Sequence, residues 1–226
     1  MNDFCFYTIY KGERFKRASE MCKMSFLKHN DIDFKVFEAE GEWFKDKKYP
    51  DDNILFYKFA IAPKYLTGYK YICFVDADTL CLKKLPLDYI RKVLDNKRIC
   101  VSTDPKLELR IGELERSKYG FPRDGVYFNS GVVFWNNSDT DIFIDLFYKW
   151  VIDNYKEIRV ATKFGDQTWL NMFLNKHYDF REKLYQLGYW WNFRGLEKDD
   201  RAYIWHPGGR GSEGIEKMTE EVAKWE

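Results

Sequence analysis

The sequence carries almost no net charge: 37 lysines and arginines face 36 aspartates and glutamates, a formal balance of +1. That balance removes the electrostatic warrant for a nucleic-acid or anionic-membrane partner. No apolar run approaches the ~18 residues that a membrane span requires. The first residues, MNDFCFYTIYKGERF, lack a basic stretch followed by an apolar one, so no signal peptide is read. The expectation is a cytoplasmic chain. No cysteine pair has CxxC spacing: Cys5, Cys22, Cys73, Cys81 and Cys100 are spread through expected strands and helices. They read as buried free thiols in a reducing compartment and argue against a Cys/His zinc site. Internal repeats and low-complexity stretches are absent, and no linker divides the chain.

What is present is core material. Hydrophobic residues make up 45% and charged residues 32%, which excludes a disordered chain. A chain of 226 residues buries enough apolar surface to need no staples. Aromatics reach 19%, with 8 Trp, 16 Tyr and 19 Phe. Such residues build cores, and they also build platforms for bases and sugar rings.

The apolar run Phe4 to Tyr10 suits a buried strand. In ERFKRASEMCKMSFLKH, the positions Ala18, Met21, Cys22, Ser25 and Phe26 follow helical spacing. Strands are expected at Phe34 to Phe37 and Tyr71 to Val75, with a helix from Asn53 to Tyr65 that stops near Pro63. This alternation argues for an α/β layer fold with a largely parallel sheet. Residues Ser102 to Asp124 read as a long loop with a short helix around Leu107 to Lys118, a candidate lid. Tyr127 to Trp135 reads as a strand interrupted by Asn-Ser-Gly. Asp139 or Asp141 caps a helix whose Phe143, Phe147, Trp150 and Val151 face the core. Another helix spans Thr168 to Leu174, and a short amphipathic helix closes the sequence.

The sharpest feature is Phe74-Val75-Asp76-Ala77-Asp78-Thr79-Leu80, with two carboxylates just past a hydrophobic strand. Ligands of α/β sheets bind at the carboxyl ends of strands, and residues i and i+2 of an extended segment share a side. Asp76 and Asp78 are therefore placed to share one hard cation, Mg²⁺ or Mn²⁺. The competing reading is two solvated turn aspartates, one of them capping a helix. Other segments bear on that choice. Lys58, on the expected helix, reads alone as a surface lysine. Asn129-Ser130-Gly131 interrupts a strand, where Gly131 permits close backbone approach to a ligand or marks a bulge. Asp166 and Gln167 stand at a helix start, as a cap or as site residues. Trp205-His206-Pro207-Gly208-Gly209-Arg210 joins an imidazole to a basic glycine-rich loop: a third metal ligand and a phosphate clamp, or an ordinary turn. Tyr189-Trp190-Trp191-Asn192-Phe193 is either a core plug or an acceptor wall, with Trp190 or Trp191 against a pyranose face. His29 and His177 read as surface residues.

Taken in order, YKFAIAPKYLTGYKYICFVDADTL, YFNSGVVFW, GDQTWLN and HPGGRG resemble the GT-A fold glycosyltransferases, most closely glycosyltransferase family 8, the glycogenin and bacterial galactosyltransferase group. The resemblance runs from the first strand to His206. It implies a GT-A, Rossmann-like single domain with a mostly parallel central sheet flanked by helices. Residues 1–100 form its nucleotide-binding half and 101–226 its sugar- and acceptor-binding half. It implies a metal-dependent transfer of a hexose-type sugar from a UDP-sugar to a glycan or protein-linked glycan, with retention of anomeric configuration. Asp76, Asp78 and His206 resemble the metal ligands (Mn²⁺ or Mg²⁺), with Asp76 and Ala77 also at the donor. Lys58 resembles the lysine that reaches the donor, Asn129 and Ser130 the segment facing its sugar. Asp166 and Gln167 resemble the catalytic pair beside the anomeric carbon. Thr8 and Tyr10 resemble part of the uracil and ribose pocket, with Tyr7 or Tyr10 nearest the uracil.

The sequence departs from the family in one place. After the histidine the family places H-x-x-G-x-x-K, and here the lysine position holds Ser212; Arg210 is the available substitute on the diphosphate. Two other functions fit parts of the sequence. A sugar nucleotidyltransferase wants a glycine-rich basic loop after the first strand, but Tyr10-Lys11-Gly12-Glu13-Arg14 has one glycine. A non-enzymatic carbohydrate-binding module uses the aromatics but leaves Asp76, Asp78, Asp166 and His206 unexplained.

Overall fold

The computed structural model describes residues 3–39, 58, 65–103, 127–139, 145–147, 149–151, 153–154, 166–177, 181–207 and 212–225. Strand β1 (Phe4–Tyr10) is buried along its whole length, as a run apolar on both faces demands. Gly12, at φ 80°, takes the left-handed backbone that other residues avoid and turns the chain into helix α1 (Glu13–His29). That helix buries Ala18, Met21, Cys22, Ser25 and Phe26, the stripe its spacing predicts. There follow β2 (Asp33–Glu38), β3 (Tyr71–Val75), the two-residue β4 (Leu80–Cys81), α2 (Leu87–Asn96), β5 (Ile99–Thr103) and β6 (Phe128–Asn136). Helix α3 (Asp166–Lys176), β7 (Leu184–Leu187), β8 (Phe193–Arg194), β9 (Ile204–His206) and α4 (Glu213–Val222) complete the described elements. Helix α2 is not among the expected elements; its buried Ile90 and Leu94 are the helical signal.

The main sheet has the order β2-β1-β3-β6-β5-β7. The pairs β1–β2, β1–β3 and β5–β7 are parallel, and β6 runs antiparallel to both of its neighbours. This is the mostly parallel sheet that the sequence predicts, with one reversed strand. A smaller sheet orders β4-β9-β8. Side chains pack both faces of the main sheet: Tyr7, Phe74, Val133 and Phe173 on one, Phe6, Phe26, Phe134 and Ile204 on the other. Phe147, Trp150 and Val151 are helical, and Phe147 meets Phe173 with ring centroids 5.2 Å apart. All five cysteines are free and buried, and burial pushes the thiols of Cys5, Cys81 and Cys100 up to about 12. Among the described residues, no helix is long and apolar enough to cross a membrane.

The expected break in the strand at Asn129-Ser130-Gly131 is a break in pairing rather than in the strand. Val101 of β5 lies opposite Val133, but its neighbour Ser102 lies opposite Asn129. Ser130, Gly131 and Val132 therefore bulge away from β5. On the other side the ladder to β3 continues through Val132, and the Asp76 N–H donates to the Gly131 carbonyl at 2.8 Å. The bulge thus sits at the carboxyl end of β3. The expected lid helix at 107–118, Phe143, and most of the expected helix at 53–65 lie outside the described residues.

Candidate functional site

The segment after β3 has little regular structure of its own, and α1 holds it. Thr79 Oγ1 donates to the Asp76 carbonyl at 2.7 Å and lies 3.5 Å from Cys22 Sγ. The Cys81 N–H donates to Ser25 Oγ at 2.9 Å, and the Leu85 N–H to Asn30 Oδ1 at 2.8 Å. Cys22, Ser25 and Asn30 come from one face of α1 and its C-terminal cap, so a packing helix fixes the turn that carries both carboxylates.

His206 reaches that turn through sheet pairing. Strand β9 runs antiparallel to β4 with Trp205 opposite Leu80, which draws His206 alongside Asp78. His206 Nε2 lies 3.2 Å from Asp78 Oδ1. Burial alone pushes the Asp78 carboxyl up; the adjacent His206 charge outweighs it and holds the group near 2. Burial opposes charge on His206, but Asp78 and then Asp76 favour it, and the net shift is upward from 6.5. Asp76, Asp78 and His206 each offer one ligand atom, all within 4.8 Å of one another. Two carboxylates crowded beside an imidazole make a donor set for a hard or borderline divalent cation. The three predicted metal ligands are therefore together.

On one side of this cluster lies a cavity of ~390 Å³ lined by Ile9, Tyr10, Lys11, Phe15, Lys58, Phe74 and the Asp76-Ala77-Asp78 segment. Tyr10 and Ala77, which the resemblance places at the donor, both line this cavity. Thr8 is fully buried and does not line the cavity, and Tyr7 is a core residue whose hydroxyl donates to the Lys58 carbonyl at 2.8 Å. Of the two tyrosines expected near a base, only Tyr10 faces the cavity. Phe15 and Lys11 are cavity residues that the sequence reading missed; their signal is their position in the turn directly after β1.

Lys58 is not a surface lysine. It is 5% exposed, with Nζ 3.4 Å from Asp76 Oδ1, 3.5 Å from Ser130 Oγ and 4.7 Å above the Phe74 ring. A lysine this deeply placed needs such partners.

On the other side of Asp76 the lining is buried and polar. Gln167 Oε1 accepts the Ser130 N–H at 3.4 Å, and its Nε2 donates to the Tyr127 hydroxyl at 3.2 Å. Asn171 bonds both the N–H and the carbonyl of Phe128 at 2.9 Å, clamping α3 against the start of β6. Asn129 Oδ1 accepts the Gly131 N–H at 2.7 Å. A β-carbon on Gly131 would stand 2.6 Å from Asp76 Oδ2, so the glycine is required by close approach of the carboxylate. Asp166 is described by its backbone only, as the first residue of α3. Arg210 lies outside the described residues.

The expected acceptor wall resolves differently. Trp191 is a core residue, 7% exposed, with Phe134 edge-on and Tyr203 stacked at 4.8 Å; its ring does not face a ligand because the sheet takes it up. Trp190 is half-buried, stacked with Phe193 at 5.4 Å and capped by the Arg201 guanidinium at 4.1 Å. Asn192, the residue after Trp191, is fully buried beside Gly131. Its signal in the sequence is that it is the one polar residue in an aromatic run.

The fold is shared with known enzymes. The chain superposes on a bifunctional glycosyltransferase, WbbM, with TM-score 0.66 and 14% identity over 98% of this chain, which spans 51% of that protein. It superposes on the galactosyltransferase LgtC, solved with donor and acceptor sugar analogues, with TM-score 0.63 and 15% identity over 97% of this chain and 95% of the other. A glycosyltransferase involved in the glycosylation of the major capsid of PBCV-1 matches with TM-score 0.66 and 11% identity over 97% of this chain and 98% of the other. No curated protein matches by sequence. These likenesses show a GT-A fold, and the sequence pattern of glycosyl transferase family 8 spans residues 11–206. That span takes in the carboxylate turn, the bulged strand, α3 and the histidine of β9: the chain belongs to glycosyl transferase family 8.

Proposed function

We propose that this glycosyltransferase moves a hexose from a UDP-sugar to a glycan or protein-linked glycan, with Mn²⁺ or Mg²⁺ bound and with retention of configuration. The observation that carries this reading is the convergence of Asp76, Asp78 and His206 between an aromatic-lined cavity and a buried polar shell. The cavity, with Tyr10 and Phe15, suits a base and ribose. Asn129, Ser130 and Gln167 suit the hydroxyls of the donor sugar, and Asp166 stands at the head of the same helix.

In the reaction, the bond between the sugar's anomeric carbon and the diphosphate oxygen breaks, and the acceptor hydroxyl oxygen bonds to that carbon. The diphosphate leaves with the electron pair and takes up the acceptor's proton. Asp76, Asp78 and His206 would hold the cation; when bound, it supplies Lewis-acid stabilisation of the leaving diphosphate. Lys58 supplies fixed positive charge beside Asp76. Arg210 is the sequence's candidate for the diphosphate contact that Ser212 cannot make. The nucleotidyltransferase and binding-module alternatives give way to family membership.

Thermal shift tests the reading. UDP with Mn²⁺ at about a hundred times its Kd is expected to stabilise the protein by about 2.7 kcal/mol, and UDP alone by little. A metal-independent response, or none, overturns it. Release of nucleotide from a panel of UDP-, GDP- and dTDP-sugars then identifies the donor.

A further inference from the structure

The chain leaves β9 at His206 and later enters α4, and the two segments touch at one point. A β-carbon on Gly214, in the first turn of α4, would stand 2.6 Å from the Pro207 carbonyl oxygen, closer than side chains come. The colliding atom is backbone, so no change of rotamer relieves it. Gly214 is itself buried. Glycine is, after proline, the least favourable residue in a helix; here it lets the helix close onto the residue that follows His206.

The rest of α4 holds that contact in place. Ile215 and Met218 pack with Leu80 and Trp205 of the small sheet and with Ala18 and Met21 of α1. At the far end Glu221, 6% exposed, accepts from Lys198 Nζ at 2.7 Å and from Lys224 Nζ at 3.0 Å. The first of these ties the helix to the connection between β8 and β9. Strand pairing fixes β9 through Trp205 opposite Leu80 and His206 opposite Arg194. Pairing ends at His206, and the next residue, Pro207, meets α4.

We infer that Gly214 is a positioning residue: it lets α4 brace the Pro207 carbonyl, and through that backbone it aims the His206 side chain at Asp78. This rests on the reading of Asp76, Asp78 and His206 as metal ligands. A metal site tolerates little displacement of a ligand, so crowding at residue 214 acts on the metal from outside the ligand set. A merely structural glycine predicts something else. Alanine there would lower the melting temperature and leave the preference between metals where it was.

The test uses the metal as reporter. Imidazole favours the later first-row metals, whereas Mg²⁺ prefers oxygen ligands. The ratio of UDP affinity with Co²⁺ to that with Mg²⁺ therefore reports how well His206 is placed. Calorimetric titration with UDP at a fixed concentration of either metal measures this ratio for wild type, His206→Ala, Gly214→Ala and Glu221→Gln. The melting temperature of each metal-free protein is recorded beside it. His206→Ala sets the ratio without an imidazole, expected about tenfold or more below wild type. Gly214→Ala is expected to fall toward it, by about fivefold. Glu221→Gln, at the far end of the same helix, is expected to melt lower and to keep the ratio within about twofold. Ile215→Ala loosens the same turn without a collision; it stands in, with the same fall expected, if Gly214→Ala does not fold. The inference is overturned if the ratio at residue 214, or at 215 in its stead, stays at the wild-type value whatever the melting temperature, or if Glu221→Gln lowers it as far. A His206→Ala ratio equal to wild type, or no UDP binding by wild type with either metal, overturns the metal reading itself, and this inference with it.

Discussion

At one end of the site, Ile9, Phe15 and Phe74 help to enclose an open cavity of ~390 Å³. At the other, Asn129, Ser130, Gln167 and Asn192 are all nine-tenths or more buried; among the described residues the Asn192 amide and Asn129 Nδ2 lack partners, while Asn129 Oδ1 accepts the Gly131 N–H. The cavity is lined from residues 9–78 and the amide shell comes from residues 129–192, with Asp76 between them. An apolar cavity binds by area and shape and tolerates variation. A buried shell of unmet hydrogen bonds discriminates sharply, because a ligand lacking the matching hydroxyl leaves those groups unpaired. On the donor reading proposed above, the first end would supply affinity and the second selectivity.

Substitutions between the two ends break the comparison most severely. Asp78→Ala removes a carboxylate from the centre, and transfer is expected to fall about a hundredfold or more, while the protein stays folded with only the modest loss of melting temperature that losing the His206 pairing brings. Nucleotide release with Mn²⁺ measures this, and retained activity refutes Asp78 as a ligand. Gly131→Ala comes next. Its β-carbon collides with Asp76 Oδ2 at 2.6 Å, so the carboxylate must shift. Metal-dependent UDP binding is expected to weaken about tenfold, a cost of the size that overpacking carries, about 1–3 kcal/mol; titration at fixed Mn²⁺ reads it. Phe15→Ala tests the cavity alone. Phe15 is 39% exposed, so the fold is spared, and UDP affinity is expected to fall severalfold, as for loss of an aromatic contact of about 0.5–1.5 kcal/mol, with the sugar's added affinity unchanged.

The smallest effect is a pH dependence. In the metal-free protein the raised His206 pKa contributes stability that is full below 6.5 and fades as pH rises through the higher folded value. The lowered Asp78 pKa contributes stability that is full above 3.8 and is lost as pH falls toward 2. Metal-free melting temperature is therefore expected to gain most from this pair between these two ordinary values, 3.8 and 6.5. Mn²⁺ needs the neutral imidazole, so its stabilisation should grow above that window. A metal response that weakens with rising pH through neutrality contradicts the assignment of His206.

The strands were legible because they are apolar on both faces: β1 and β3 read directly from Phe4 to Tyr10 and Tyr71 to Val75. The carboxylate pair, the asparagine-serine bulge and the histidine were legible as local patterns, and family resemblance supplied their common purpose. What was not legible depends on long-range packing. Thr8 and Tyr10 share a strand face, yet only Tyr10 lies at the cavity, because Thr8 falls one step short of the strand end. Trp190 and Trp191 are neighbours in an aromatic run, and only pairing with Phe134 and Tyr203 decides that the second is core.

Helix α1 touches no expected ligand through Cys22, Ser25 or Asn30, yet these residues set the conformation of the segment from Asp76 to Leu85. An unsupported segment of that length would lose about 1–2 kcal/mol of conformational entropy per residue each time it became ordered. Here the ordering occurs once, when the helix docks, and the two carboxylates are already gathered before any ligand arrives. Tightness of binding is in this sense a property of the far side of a helix, where a substitution would look like a change to the core and act as a change in affinity.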